Sequence, residues 1–255
     1  MSYIYPALLD QQKVTSLFTT RLGGHSQAPF DSLNLAFHVS DNSNDVITNH
    51  QETAKSLDYS YQRLVHMRQI HSDKIVIVES DIHNFENPPE CDALITNQPE
   101  IPLMVMTADC TPVLFYDHVK QVIAVAHAGR AGALKGIVPK TIQKMCNEFD
   151  CHIKNITVVL GPSIGACCYE VGEKIAKEVT QSGYALAVVF ENGKYSLDVN
   201  TIIHHQLKKL EIDTKQIEDL SICNACQNET YFSYRADKQK TGRFAGIIML
   251  KEQLS

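Results

Sequence analysis

The chain has 255 residues, 44% hydrophobic and 20% charged, the make-up of an ordinary globular protein with material for a sizeable core. Its formal net charge of -6 argues against general attraction to nucleic acid or anionic lipid, because both need a basic surface. No run approaches the roughly 20 apolar residues of a membrane span. Met1 to Gln12 has neither a basic n-region nor an apolar stretch of signal-peptide length. A cytoplasmic protein that neither crosses a membrane nor binds nucleic acid is expected.

In chain order, Val14 to Thr20 reads as a strand, followed by a Gly23-Gly24 turn and a polar loop from Ser26 to Asp41. A helix capped near Asn44 or Asn49 runs to about Leu57. Lys74 to Glu79 alternates charged and β-branched residues in the manner of a strand. Leu103 to Thr107, Val113 to Tyr116 and Val122 to Ala126 are three short apolar runs with connections too short for a crossover helix. That spacing predicts an antiparallel three-strand meander, which brings Cys110, in the first connection, and His127, just past the third strand, to one end of the sheet.

A helical pattern follows from about Ala133 to Phe149, with Pro139 marking a break. Ile156 to Leu160 reads as a buried strand, leading into Gly161-Pro162-Ser163-Ile164-Gly165. Helices are expected from Gly172 to about Gln181 and, after an N-cap at Asn200, to about Leu210. A last strand spans Arg243 to Leu250. Strands and helices are intermixed without strict alternation, so an α+β (mixed α/β) architecture in one domain, residues 1–255, is expected over a Rossmann-type sheet.

His71, Cys110 and His127 stand beside apolar runs of strand character. Two imidazoles and one thiolate suit zinc and leave a fourth position open, which is the arrangement of a catalytic rather than a structural site. Without an export signal the other cysteines read mostly as small buried hydrophobes. Cys167 and Cys168 are adjacent, where a mutual disulfide would be strained. Cys223 and Cys226 form one CxxC with no second ligand pair downstream.

An ordered set of motifs adds to this. Thr19-Thr20-Arg21-Leu22-Gly23-Gly24-His25-Ser26 with Ser32-Leu33-Asn34-Leu35, then Gln69-Ile70-His71, Cys91-Asp92-Ala93-Leu94-Ile95-Thr96, Thr107-Ala108-Asp109-Cys110-Thr111-Pro112 and His127-Ala128-Gly129 succeed one another. Gly161 to Gly165, Cys168-Tyr169-Glu170-Val171-Gly172, Phe232-Ser233-Tyr234-Arg235 and Thr241-Gly242-Arg243 complete the series. The set resembles the laccase-domain family, first described as multicopper polyphenol oxidases and now read as zinc-dependent purine nucleoside phosphorylases. The resemblance implies a four-layer sandwich, with mixed sheets in the middle and helices outside, related to cysteine hydrolases such as the cytotoxic necrotizing factor domain. It implies zinc on His71, Cys110 and His127. It also implies phosphorolysis of adenosine, inosine, guanosine and methylthioadenosine, with adenosine deamination as a side activity.

The chain departs from the family at one point: His-Ala-Gly-Trp-Arg-Gly becomes His127-Ala128-Gly129-Arg130-Ala131-Gly132, with Arg130 one position from the usual arginine. Asp109 and Asp73 are candidate proton shuttles beside the metal. Arg21, Arg130 and Arg243 are candidates for the phosphate, because a guanidinium fork matches its oxygens; Arg235 lies in a similar motif, and Asn34 is a further candidate substrate contact. Laccase chemistry would need several coppers and many paired histidines, yet the 11 histidines are scattered with no His-x-His pair. Copper binding to the three-residue set in vitro remains compatible with its nitrogen and sulfur donors. A metal-free hydrolase or deamidase, with Cys110 as nucleophile and His127 as base, is the rival enzymatic reading. A non-enzymatic binding module is a third, with no residue pattern in its favour.

Overall fold

The computed structural model describes residues 1–79 and 83–252. Strands β1 (Tyr3–Ile4) and β2 (Val14–Thr19) precede helix α1 (Ser43–Ser56). Five strands follow: β3 (Ile75–Ile77), β4 (Ala93–Thr96), β5 (Leu103–Thr107), β6 (Thr111–Asp117) and β7 (Val122–Ala128). After helices α2 (Arg130–Lys135) and α3 (Ile137–Phe149) come β8 (Ile156–Leu160), β9 (Glu170–Val171), α4 (Glu173–Gln181), β10 (Val188–Glu191) and β11 (Lys194–Leu197). Helix α5 (Val199–Lys209) and strands β12 (Ile217–Asp219) and β13 (Phe244–Leu250) complete the order. The mixed α+β class expected from the sequence is the one observed.

Two sheets lie face to face. One has the order β1-β2-β13-β5 and is antiparallel. The other is mixed, with the order β12-β8-β6-β7-β4-β3 and parallel pairs at its two margins. Side-chain direction alternates along a strand, and here both faces are dry. Leu114, Tyr116, Ile123 and Val125 point between the sheets with Leu103, Val105, Ile248 and Leu250. Val113, Phe115, Ala124 and Ala126 point the other way, against Ile137, Ile142, Ile202 and Leu207 of α3 and α5. On the far side Met104, Met106, Ala245 and Ile247 meet Ala54 and Leu57 at α1. Burial on both faces leaves continuous apolar runs instead of an alternating pattern, and yields helix, sheet, sheet and helix in four layers.

The expected three-strand meander is not formed. Strand β5 pairs with β13 in the first sheet, and residues 108–110 carry the chain into β6 of the second. Only β6 and β7 form a hairpin, with Thr111 opposite Ala128 and Pro112 opposite His127. Three equally apolar runs look alike in sequence, whereas pairing is decided by β13, which arrives from about 140 residues downstream to compete for β5. The helical break also shifts. It falls at Gly136, whose φ of 79° ends α2, while Pro139 sits in the first turn of α3, where its missing N–H has no helical partner to lose. Both caps lie two residues before the nearer expected position: Asn42 accepts from Asn44 at the start of α1, and Asp198 rather than Asn200 caps α5.

Helix α1 delivers His50 into the interior, fully buried. Its Nε2–H donates to the Leu35 carbonyl at 2.8 Å, and Nδ1 has no partner. The ring stacks on Phe37 and meets Phe85 edge-on. Burial, helped by the nearby His66, pushes its pKa down to about 3. An unfolded histidine titrates near 6.5, so between these values the unfolded chain holds more protons and acid destabilises the fold. We expect His50 to remove about 2 kcal/mol of stability between pH 6.5 and pH 5, at roughly 1.4 kcal/mol per unit. Denaturant titrations of wild type and His50→Gln at both pH values check this: the variant should lose that part of the slope, and equal slopes would refute it.

Candidate active site

The β6–β7 register sets two of the three candidate ligands together. Cys110 immediately precedes β6, and His127 lies in β7 across from Pro112. His71 arrives from the turn before β3. One donor atom from each of the three lies within 4.8 Å of the others, and the His71 and His127 rings are 4.8 Å apart at 75°. Gly129 permits the approach, since a Cβ there would stand 2.7 Å from the Cys110 Sγ.

Asp92, at the entry to β4, organises this arrangement from full burial. It accepts the backbone N–H groups of Ile70 at 3.3 Å, His71 at 3.0 Å and Ser72 at 2.6 Å, together with the Ser72 hydroxyl at 2.7 Å. It also accepts His127 Nδ1–H at 2.9 Å, which turns Nε2 of His127 toward the Cys110 sulfur. Burial opposes the carboxylate's charge, but His127 and the Ser72 donors outweigh it and hold the pKa down to about 2. His71 itself takes φ of 57°, a left-handed conformation uncommon outside glycine, and the three N–H bonds to Asp92 fix that turn.

Cys110 and His127 influence each other. Burial favours the neutral thiol, but His127 and His71, both hydrogen-bonded to it, bring its pKa down to about 6. Burial likewise favours neutral His127, but the Cys110 sulfur and Asp92 push it upward. A readily ionised thiol with two imidazoles matches the donor chemistry of a borderline-soft divalent cation, whose thiolate ligand must be deprotonated. The residues therefore fit a bound metal, with Asp92 as the carboxylate that orients one histidine.

The three donors open into a cleft of about 1090 Å³. Its wall includes Arg68, Arg130, Arg235, Lys238 and Arg243, the Tyr169 and Tyr234 rings, and one carboxylate, Asp109. An acidic chain thus gathers cations around one opening, which focuses a positive potential there. Arg243 lies over the Tyr234 ring and donates to the Thr241 and Gly242 carbonyls. Arg235 lies over Tyr169 and donates to the Glu170 carbonyl at 3.0 Å. Arg130 reaches Glu178 on α4 at 2.6 Å.

The other expected site residues are held by partners within the protein. The Asp109 carboxylate is held by Asn224 Nδ2, Ser233 Oγ and the Arg235 N–H. These bonds secure a backbone φ of 108° directly before Cys110, a strain on the order of 1–3 kcal/mol for a residue with a Cβ. Asp109 thus braces the backbone at Cys110 while its carboxylate remains in the cleft wall. Asp73 is paired with Lys140 and is not part of the cleft wall. Arg21 is not in the wall either: it spends its donors on Asp31, Asn228 and Asp237 and lies over Phe232. Asn34 is buried, bonded to Ala36, Asp41 and the Arg243 N–H, so it supports Arg243 from behind. Sequence reasoning left Asp92 and Tyr169 without roles. Asp92 shows itself only through contacts 20 or more residues distant, although its place in the Cys91-Asp92-Ala93 motif was a usable signal.

A family model described as multi-copper polyphenol oxidoreductase laccase matches residues 15–251. A purine nucleoside phosphorylase of Corynebacterium glutamicum is 35% identical over 240 residues, covering 94% of this chain and 96% of that protein. One from Streptomyces coelicolor is 36% identical, covering 91% and 94%. Among solved structures, the hypothetical protein YfiH of Bacillus licheniformis superposes with a TM-score of 0.89 at 32% identity, covering 95% of this chain and 94% of that one. YlmD from Geobacillus stearothermophilus gives 0.88 at 28%, covering 94% and 93%.

Removing the charge of Asp92 tests its role. Asp92→Asn should weaken retention of a divalent metal by roughly 10–100-fold, the usual effect of losing a carboxylate behind a metal-bound histidine. Competition with a chromophoric chelator measures it, and unchanged affinity would contradict the arrangement.

Proposed function

Because the chain belongs to the multi-copper polyphenol oxidoreductase laccase family, and relatives along nearly its whole length are named purine nucleoside phosphorylases, we propose that it is a zinc-dependent purine nucleoside phosphorylase. Its substrates are adenosine, inosine, guanosine and S-methyl-5′-thioadenosine, with adenosine deamination as a side activity. The observation that carries the reading is a His-Cys-His donor set in a cleft ringed by cations and tyrosines. Phosphate needs the cations, and a purine has two aromatic faces to stack on.

In phosphorolysis the C1′–N9 bond of the nucleoside breaks while a C1′–O bond to phosphate forms. The base departs with the proton that hydrogen phosphate brought. His71, Cys110 and His127 would hold the zinc, which supplies a Lewis acid beside the reacting groups. Arg243 and Arg235 offer their remaining N–H donors to the phosphate dianion. Each is braced by backbone carbonyls and an aromatic ring, so little side-chain freedom is lost on binding. Tyr169 and Tyr234 flank the cleft for the base. Arg130 is paired with Glu178 and serves the rim, standing in only loosely for the family's arginine one position on. The scarcity of donors weighs against laccase chemistry: among the described residues one cluster of metal donors contains histidine, too few for the several coppers that four-electron reduction of dioxygen requires.

A second reading has its own observation. Cys110, His127 and Asp92 stand in the order nucleophile, base and orienting acid, with a thiol near pKa 6, as in a metal-free cysteine hydrolase. Alkylation separates the two, since a zinc-bound thiolate is protected and a free one reacts.

The purified, zinc-replete protein should release adenine from adenosine only when phosphate is present, as followed by chromatography. His71→Ala should lose zinc and at least roughly a hundredfold in turnover, the loss of several kcal/mol of electrophilic help. Full activity in that variant would end the zinc mechanism. Arg243→Lys should raise KM for phosphate by roughly tenfold, since one charge-assisted hydrogen bond is worth about 1.5–3 kcal/mol. An unaltered KM for phosphate would remove Arg243 from the anion site.

A further inference from the structure

The CxxC of Cys223 and Cys226 lacks a second ligand pair downstream, but the fold supplies one from upstream. The Gly161–Gly165 loop leaves β8 and turns back on itself, with the Cys168 and Tyr169 N–H groups both donating to the Gly165 carbonyl. That turn sets Cys167 and Cys168 against the segment after β12. The Cys226 Sγ lies 3.5 Å from that of Cys167 and 3.3 Å from that of Cys168. All four sulfurs fall within 4.8 Å of one another. Four sulfurs around a tetrahedral zinc, with Zn–S near 2.3 Å, sit about 3.8 Å apart, so small side-chain adjustments would complete the polyhedron. We propose that Cys167, Cys168, Cys223 and Cys226 form a second, structural zinc site with four thiolate ligands.

Three features favour a metal over four unrelated thiols. All eight cysteines are free, so nothing covalent accounts for the convergence, and one disulfide would satisfy only two of the four. The Cys223 Sγ accepts backbone N–H groups from Gly165 at 3.4 Å and from Cys226, bonds that stabilise a thiolate. They outweigh burial and bring Cys223 down to about 7. Burial and the neighbouring thiols push Cys167 and Cys168 upward instead. Thiolates crowded together with no cation between them repel one another, and a divalent ion removes the repulsion. Cys167 and Cys226 are exposed, which gives the ion an entry path.

The site would be closed, with every position taken by protein, in contrast to the three-donor set in the cleft. Its position gives it a task. It joins two segments that build the cleft wall, one bearing Ile164 and Tyr169, the other leading through Asn224, which holds Asp109, to Tyr234 and Arg235. Arg235 bonds the Cys168 and Glu170 carbonyls between them. The ion would thus fix the aromatic and cationic wall without touching the reacting atoms.

Elemental analysis of the purified full chain tests this. Wild type should hold two zinc ions per chain, the paired substitution Cys223→Ser with Cys226→Ser should hold one, and Cys110→Ala should also hold one, the four-thiol ion. Loss of zinc from the paired variant but none from Cys110→Ala would leave this site standing and remove zinc from the cleft. One zinc per chain that survives the paired substitution and is lost with Cys110→Ala would overturn the proposal. So would iron in place of zinc, or a disulfide among the four in metal-replete protein. Should the paired variant fail to fold, N-ethylmaleimide labelling of wild type decides: the four thiols should resist until a chelator is added. Immediate labelling of the exposed Cys167 and Cys226 would overturn the site.

Discussion

The site depends on one buried carboxylate. Asp92 stands just before strand β4 of the six-stranded sheet and accepts five hydrogen bonds, four of them from the 70–72 turn and one from His127. A charge without solvent survives only when its lone pairs are met, so the turn and the imidazole must both be where they are for the carboxylate to remain ionised. In return, His71 keeps a left-handed backbone, and His127 keeps one tautomer with Nε2 turned toward the Cys110 sulfur. The same atom group therefore sets the position of one donor and the chemistry of another. Donor geometry and local stability are coupled through it.

A comparable economy runs through the other side of the cleft. Asp109 has a carboxylate on the wall, yet its oxygens are occupied by Asn224, Ser233 and Arg235. It holds Cys110 in place through its own strained backbone and leaves the surrounding arginines without an acidic competitor. An acidic protein thereby presents a cationic opening, suited to a small dianion and unsuited to a polyanion needing a broad basic face. The cleft wall is built from segments far apart in sequence, and the four cysteines sit where two of those segments touch. In the zinc reading of these cysteines, one ion would work on substrate and the other would keep the wall in register.

Much of the fold was legible in the sequence because burial writes a direct signal. The apolar runs at Leu103, Val113, Val122, Ile156 and Phe244 are all strands, and most helix spans lie within a few residues of those expected. These two helix starts were missed by two residues because Asn42 and Asn44, or Asp198 and Asn200, are equally able to cap. The meander from β5 to β7 was misread because a continuous apolar run states that both faces are buried and says nothing of its neighbour. The neighbours of the CxxC were out of reach for the same reason: Cys167 and Cys168 are 55 and more residues upstream, and a ligand count taken downstream cannot find them.

By itself the sequence determined the class of fold, the family through its ordered motifs, and the three side chains whose nitrogen and sulfur atoms suit a metal. These follow from residue type and local spacing, which act over a few residues and are written in order. Tertiary structure alone decided which strands pair, that Asp92 governs the donors, that Arg21 and Asp73 are committed elsewhere, and that four distant cysteines converge. A hydrogen-bond partner or a neighbouring charge is fixed by distance in space, and chain order constrains that distance only after the sheets have closed on one another.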